Sequence, residues 1–412
     1  MKKSKKFVLA GFVLLAITGL LALAGCKNDS VPETPAAKLV SITVTPPART
    51  VYSVGQEFDS TGMKVTATYD DGESKDVIDL ATTDFDTVAG VKGLNKTVTV
   101  SYTEGDTTET DTFTVDVASY KFTETVGDYE YPAGETGTMA GGDYRIFGDW
   151  PQTIKDKDVT VGKNTMTREG MDFHVGSDGN YYVKVTAKPY EDTYTYTYSD
   201  GNLVEKDKEV YFKVEPIVWR VLTEDYKDPD GNSTGNALLL AEKILIGGIK
   251  WADSSNNYKE SYIRQWLNGN SGTGETSDYG GDAGFLQTAF NQSALDKIAS
   301  TTVDNSVSAS TKDKIFLLSQ QEVTNSEYGF AASSNGPITR IRVTTDYAKA
   351  TGAYQGDSTE GYGGWWWLRS PSYNYLNCAR SILNNGNDYD LNDVDFTDGG
   401  VVPALSISLG GN

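Results

Sequence analysis

The side chains best suited to chemistry are few. His174, in "DFHVGSDGN", is the single histidine of 412 residues. It stands next to a turn, where an imidazole is more often structural or solvated than catalytic. The two cysteines, Cys26 and Cys378, lie far apart in the chain. No Ser–His–Asp or Cys–His set can be built around His174 with any specificity. Near Cys378, only Arg380 could favour a thiolate. "DYDLND" spaces Asp388, Asp390 and Asn392 like the start of a calcium loop. Asp393, however, holds the sixth position, where such a loop turns on Gly, and Gly399 holds the twelfth, where it needs Glu. "DPDGN" (228–232) reads as a turn. No P-loop, dinucleotide fingerprint or zinc spacing is present. The expectation is a protein that is not an enzyme and uses no metal or cofactor.

One segment is unusual in what it lacks. From Ser372 to Asp398 there is no Lys, Glu, Gln, Met or Trp, while Asn, Asp, Tyr and Ser abound. If the first two bases of an Asn codon (AAC or AAT) vary freely, fifteen residue types are reachable, and those five are the ones that are not. A solvated loop is the plain alternative, since such polarity permits disorder. Two features argue against it. The flanks "GGWWWLR" and "VVPALSISL" read as buried strands, and Leu376, Ile382, Leu383, Val394 and Phe396 interrupt the polarity.

The elements that must position this segment begin at the N-terminus. "MKKSKK" followed by "FVLAGFVLLAITGLLALAG" has the form of a secretory signal, although about 18 apolar residues could also span a bilayer. "LAGC" resembles the lipobox of bacterial lipoproteins. That resemblance implies removal of residues 1–25, acylation of Cys26 and attachment to a membrane, each acyl chain contributing about 0.8 kcal/mol per buried CH₂. Cys378 is then left without a partner, so no intramolecular disulfide is expected. The formal charge of −21 argues against nucleic acid as a partner, because phosphate binding needs clustered Lys and Arg. The expected location is exported, lipid-anchored to the bacterial cell envelope and surface-exposed.

After a polar tether (26–38), residues 39–118 alternate apolar and polar residues with a turn at Asp71-Gly72. Val98, Val100 and Tyr102 share a face, with Phe113, Val115 and Val117 on the partner strand. An all-β sandwich is expected, and "YSVGQEFDSTGMKVTATYDDG" resembles bacterial immunoglobulin-like domains, which commonly serve as spacers. Residues 119–142 read as a Gly-rich linker. From 143 to 412 the pattern is mixed. A hairpin is expected over 190–222, turning at Asp200-Gly201, with Tyr194, Tyr196 and Tyr198 on one face. "NALLLAEKILI" reads as a buried strand. "ESYIRQWLNG" and "AGFLQTAFNQSALDKIAS" have helical spacing, and Ser319 with Glu322 form a capping box. The expected class for this part is α+β, making the chain multidomain.

"FGDWPQT", "PIVWRVL", "ALLLAEKIL", "SYIRQWLNG", "FLQTAF", "KIFLLSQQEV" and "WWWLRSP…AR…NNG…V…GGVVPAL" occur in that order. Together they resemble a family of bacterial exported domains of unassigned function, over about residues 141–412. Some members are the variable targets of diversity-generating retroelements. The resemblance implies a C-type-lectin-like fold, close to that of formylglycine-generating enzymes, with a diversified ligand-binding face on a fixed frame. The enzymatic relatives use two active-site cysteines, and this chain has only Cys378 there, so their activity is not carried over. The variable segment is 372–398. The residues expected to contact a ligand are Ser372, Tyr373, Asn374, Tyr375, Leu376, Asn377, Cys378, Ser381, Leu383, Asn387, Asp388, Tyr389, Asp390, Leu391, Asn392, Asp393, Asp395 and Phe396. Tyr offers rigid amphipathic contact, while Ser, Asn and Asp offer adaptable hydrogen bonds, as in antibody paratopes. The expected function is a lipid-anchored receptor or adhesin for an extracellular protein or glycan. The alternatives are a structural envelope lipoprotein with no variable site, or a calcium-dependent lectin using Asp388, Asp390 and Asn392.

Overall fold

The computed structural model describes residues 37–139, 141–190, 196–269, 284–332, 338–356 and 363–409. Cys26, the signal segment, most of the tether and Tyr194 lie outside the described residues. The chain is mostly β-sheet, arranged in several sheets. No helix among the described residues is long and apolar enough to cross a membrane.

Two sheets enclose the first core. One joins Leu39–Thr45, Lys64–Tyr69 and Ser74–Asp76; the other joins Val51–Ser53, Thr107–Ala118, Gly93–Glu104 and Thr82–Thr83. Period-two alternation explains this layout, because successive side chains on a strand face opposite sides. Val98, Val100, Tyr102, Phe113, Val115 and Val117 are all buried, and they meet Leu39, Ile42, Val65 and Ala67 in one cluster. The turn at Asp71-Gly72 is present, with Gly72 at φ 85°, a backbone shape that favours glycine.

A nine-stranded sheet carries the second core. Its spine is the 15-residue strand Glu209–Thr223, which pairs along its length with Tyr181–Thr186, Ala237–Ala241 and Tyr144–Ile154. Ala237–Ala241 is buried at every position, and Ala404–Ile407 pairs with it on the far side. Here the expectation for 190–222 needs correcting. The turn at Asp200-Gly201 forms, but beside it only Thr197 and Leu203 pair, while Glu209–Thr223 takes Tyr181–Thr186 as its neighbour. Tyr196 and Tyr198 are buried against the main core. Burial of these rings, rather than turn proximity, decides the pairing.

Residues 119–142 also differ from a free linker. Gly127–Asp128 pairs with Tyr144–Ile154, and the Tyr120 hydroxyl donates to Asp149 at 2.6 Å. The first core joins the second through side chains as well: Val51 and Ala118 belong to the second cluster, and the Ser53 and Tyr181 hydroxyls stand 3.3 Å apart.

Helices are short. Tyr262–Asn268 is capped by Ser261, whose Oγ accepts the Arg264 N–H, and ends at Gly269 with φ 61°. Phe285–Ala289, Gln292–Leu295 and Asp346–Ala350 are the others in this part. The Ser319–Glu322 capping box forms in both directions: Ser319 N–H donates to Glu322 Oε2 at 2.7 Å, and Glu322 N–H to Ser319 Oγ at 3.2 Å. Helix is the minor component because long apolar runs such as "ALLLA" extend into central strands.

Candidate functional site

The polar segment is a hairpin, built onto "WWWLRSP". Trp366–Pro371, Cys378–Ile382 and Asp388–Asp393 form a three-stranded antiparallel sheet in that order. Its first strand is buried at every residue. Trp366 Nε1 donates to the Arg340 carbonyl at 3.1 Å, and Trp367 N–H to the Gly400 carbonyl at 3.0 Å. The Trp365 and Trp367 rings meet edge to face at 4.8 Å. A methyl group added at Gly399 would run into both of those indoles, so only glycine fits there.

The second strand turns back through Asn384-Asn385-Gly386. Gly386 is buried at φ 83°, and Arg340 Nε donates to its carbonyl at 2.9 Å. Ile382 and Val394 point into the main core. Arg380 answers the acids of the third strand, with Nη1 2.9 Å from both Asp388 oxygens and Nη2 3.6 Å from Asp390. Asp388 also accepts from Gln320 Nε2 at 3.1 Å. Asn392 Nδ2 donates to Ser381 Oγ at 2.8 Å. The alternate acids of "DYDLND" therefore converge on a guanidinium. Among the described residues no three His, Cys, Asp or Glu side chains are grouped to hold a metal ion.

The loop before the second strand is held by a residue that the sequence reading did not single out. Asn256, itself buried, extends Nδ2 to the carbonyls of Ser372 (3.1 Å), Tyr375 (3.0 Å) and Cys378 (3.0 Å). Its backbone N–H donates to the Leu376 carbonyl at 2.8 Å. A buried amide with several carbonyl acceptors replaces the water those carbonyls would otherwise need. The loop is thereby fixed while its side chains point outward.

The expected contact residues divide into three groups. Ser372, Cys378 and Ser381 are buried beneath the surface. Leu383, Asn387, Asp388, Asp390, Asn392 and Asp393 are half-buried. Tyr373, Asn374, Tyr375, Leu376, Asn377, Tyr389, Leu391, Asp395 and Phe396 are exposed. Tyr373 is 81% exposed, Leu376 80% and Tyr375 53%. Among the described residues, every aromatic side chain that is exposed lies in this segment: Tyr373, Tyr375, Tyr389 and Phe396. All other described aromatics are buried or half-buried.

The Cys378 thiol is not a nucleophile in this setting. Burial and the nearby Asp393 carboxylate, 3.3 Å from Sγ, push it up to about 11. His174 lies on the strand Met171–Gly176, with Nδ1 3.3 Å from the Gly162 carbonyl and its ring edge to face with Tyr211. It borders a cavity of about 830 Å³ whose floor includes Trp150, Trp266 and Tyr347. That cavity meets the terminal segment only at Thr397 and Asp398.

Residues 234–409 match a family described as a domain of unknown function (DUF6273). The match takes in the whole terminal sheet and Asn256, and leaves out "FGDWPQT" and "PIVWRVL". No curated protein matches the chain. The terminal sheet, its buried frame and the clamp that holds its loop thus all lie within a stretch similar to the DUF6273 domain.

Proposed function

We propose that this chain is a lipid-anchored surface receptor or adhesin, with Cys26 as the anchor and the terminal sheet as its ligand-binding face. In this reading residues 39–118 are an immunoglobulin-like spacer. Residues 143–412 are a C-type-lectin-like domain whose segment 372–398 is diversified by a retroelement. The observation that carries the proposal is the confinement of exposed aromatic side chains to Tyr373, Tyr375, Tyr389 and Phe396. Exposed aromatics clustered on one surface, with Leu376 and Leu391 among them, are what binding faces present. They stand on a frame of fully buried Trp366, Trp367, Leu368, Ala379 and Ile382, so substitutions at the face leave the core intact. The missing Lys, Glu, Gln, Met and Trp add an independent argument, since varied Asn codons cannot yield them.

The test is genetic. The 3′ end of the gene and several kilobases beyond it are sequenced in sister isolates, with a search for a near-copy of codons 372–398 beside a reverse-transcriptase gene. A copy differing from the gene only at adenines is the expected result. Identical codons in all isolates and no copy would overturn diversification and leave a structural envelope lipoprotein as the better reading.

A further inference from the structure

We propose that the outer edge of the terminal sheet, Asp388–Asp393, is a strand-addition site that takes an extended, cationic segment of a partner protein by main-chain hydrogen bonding. The inference rests on the reading of this sheet as the ligand-binding face and specifies how that face is engaged.

The two sides of the sheet differ. Beyond Trp366–Pro371 the neighbouring chain is already in place: Trp367 N–H donates to Gly400 and Arg369 N–H to Leu318, at 3.0 and 2.9 Å. Asp388–Asp393 is paired with Cys378–Ile382 on one side only. On its other side, among the described residues, the only further backbone hydrogen bond is from Phe396 N–H to the Asp393 carbonyl at 3.1 Å. In an antiparallel strand alternate N–H and C=O groups point away from the paired neighbour, so this edge presents a row of them outward. Tyr389 and Leu391 are the exposed residues of the strand, alternating with half-buried Asp388, Asp390 and Asn392. Main-chain pairing with pockets for alternate side chains is how an extended peptide joins a sheet.

Charge selects the occupant. Arg380 answers Asp388 and reaches Asp390 at 3.6 Å, while Asp393 is half-buried and Asp395 exposed beside the strand. A second copy of this edge would set acids against acids, which is how sheet edges avoid pairing with themselves. A strand carrying Lys or Arg finds the opposite charge. Main-chain bonds also suit a face whose side chains vary. They do not depend on which residue occupies positions 389 or 391, so substitution changes specificity while the docking mode persists.

The test uses the full chain and two synthetic octapeptides alternating Lys and Val, one unmodified and one methylated at every backbone nitrogen. Anisotropy reads binding, and hydrogen exchange reads protection at the amides of 388–393. The expected result is binding of the unmodified peptide with slowed exchange at this strand, weakened at least tenfold by methylation. No binding, methylation-insensitive binding or protection elsewhere overturns strand addition, while the isolate comparison still decides whether the face is diversified. Self-association of the chain through this strand, seen by sedimentation, would overturn the choice of a cationic partner.

Discussion

Asn256 Nδ2 stands 3.0 Å from the Tyr375 carbonyl, across 119 positions of sequence, and the same nitrogen serves Ser372 and Cys378. One buried amide therefore sets the shape of a loop whose Tyr373 and Leu376 side chains are almost wholly exposed. Replacing Asn256 with Ala leaves several loop carbonyls without a donor, at a cost of about 1–3 kcal/mol. Urea unfolding of N256A should show that loss, and hydrogen exchange should quicken in residues 373–377 first. An unchanged exchange pattern would mean that the loop is held by other contacts.

The face and the frame should respond oppositely to substitution. Tyr373→Ala and Leu376→Ala remove side chains that touch little, so each should change stability by no more than about 0.5 kcal/mol. Trp366→Ala removes a fully buried indole and should cost about 3–5 kcal/mol. Thermal unfolding of the three variants checks this. A large loss at Tyr373 would show that the ring packs in solution and is not free to bind.

What the sequence made legible was local. Period-two alternation placed Val98, Val100 and Tyr102 on one buried face, and the Ser261 cap with Gly269 bounded a helix, because these signals act within a few residues. The buried run Ala237–Ala241 and the apolar flanks of the polar segment were readable for the same reason. Asn256 was not, because its partners are more than a hundred positions away and "DSSNNYKE" has the composition of any turn. The pairing of Glu209–Thr223 was missed because a nearby Gly turn suggested a local partner, whereas burial of Tyr196 and Tyr198 favoured another. The fate of the acids in "DYDLND" depended on Arg380, eight residues from Asp388, whose reach only the paired strands reveal.

Calcium offers a direct comparison of readings. Arg380 occupies both oxygens of Asp388 and reaches Asp390, and Asn392 is engaged with Ser381. Excess calcium should therefore leave the melting temperature unchanged, because an ion that does not bind the folded state cannot stabilise it. A calcium-dependent rise, measured at constant ionic strength, would restore the lectin alternative.

The same strand that carries the three tryptophans is fastened by an ion pair that acid should release. Arg369 donates through Nη1 to Glu322 Oε2 and through Nη2 to Oε1, the latter at 3.0 Å, with both side chains buried. The Tyr226 hydroxyl and the Ser319 N–H also donate to this carboxylate, each at 2.7 Å. Burial alone would raise the Glu322 carboxyl, but the Arg369 charge and these hydrogen bonds outweigh it and hold the group below its ordinary 4.5. The folded chain thus binds this proton less tightly than the unfolded chain. Its stabilisation is complete above the ordinary value and is lost as pH falls through the lower folded value. Glu322→Gln leaves a buried guanidinium without its counter-charge and should cost about 3–5 kcal/mol at neutral pH. The gap between the native chain and E322Q should then narrow on acidification, as native Glu322 also becomes neutral. Urea unfolding of both at neutral pH and through the acid range measures the gap. A gap that stays constant would mean that the pair contributes no charge-dependent stability and that the strand is held by packing alone.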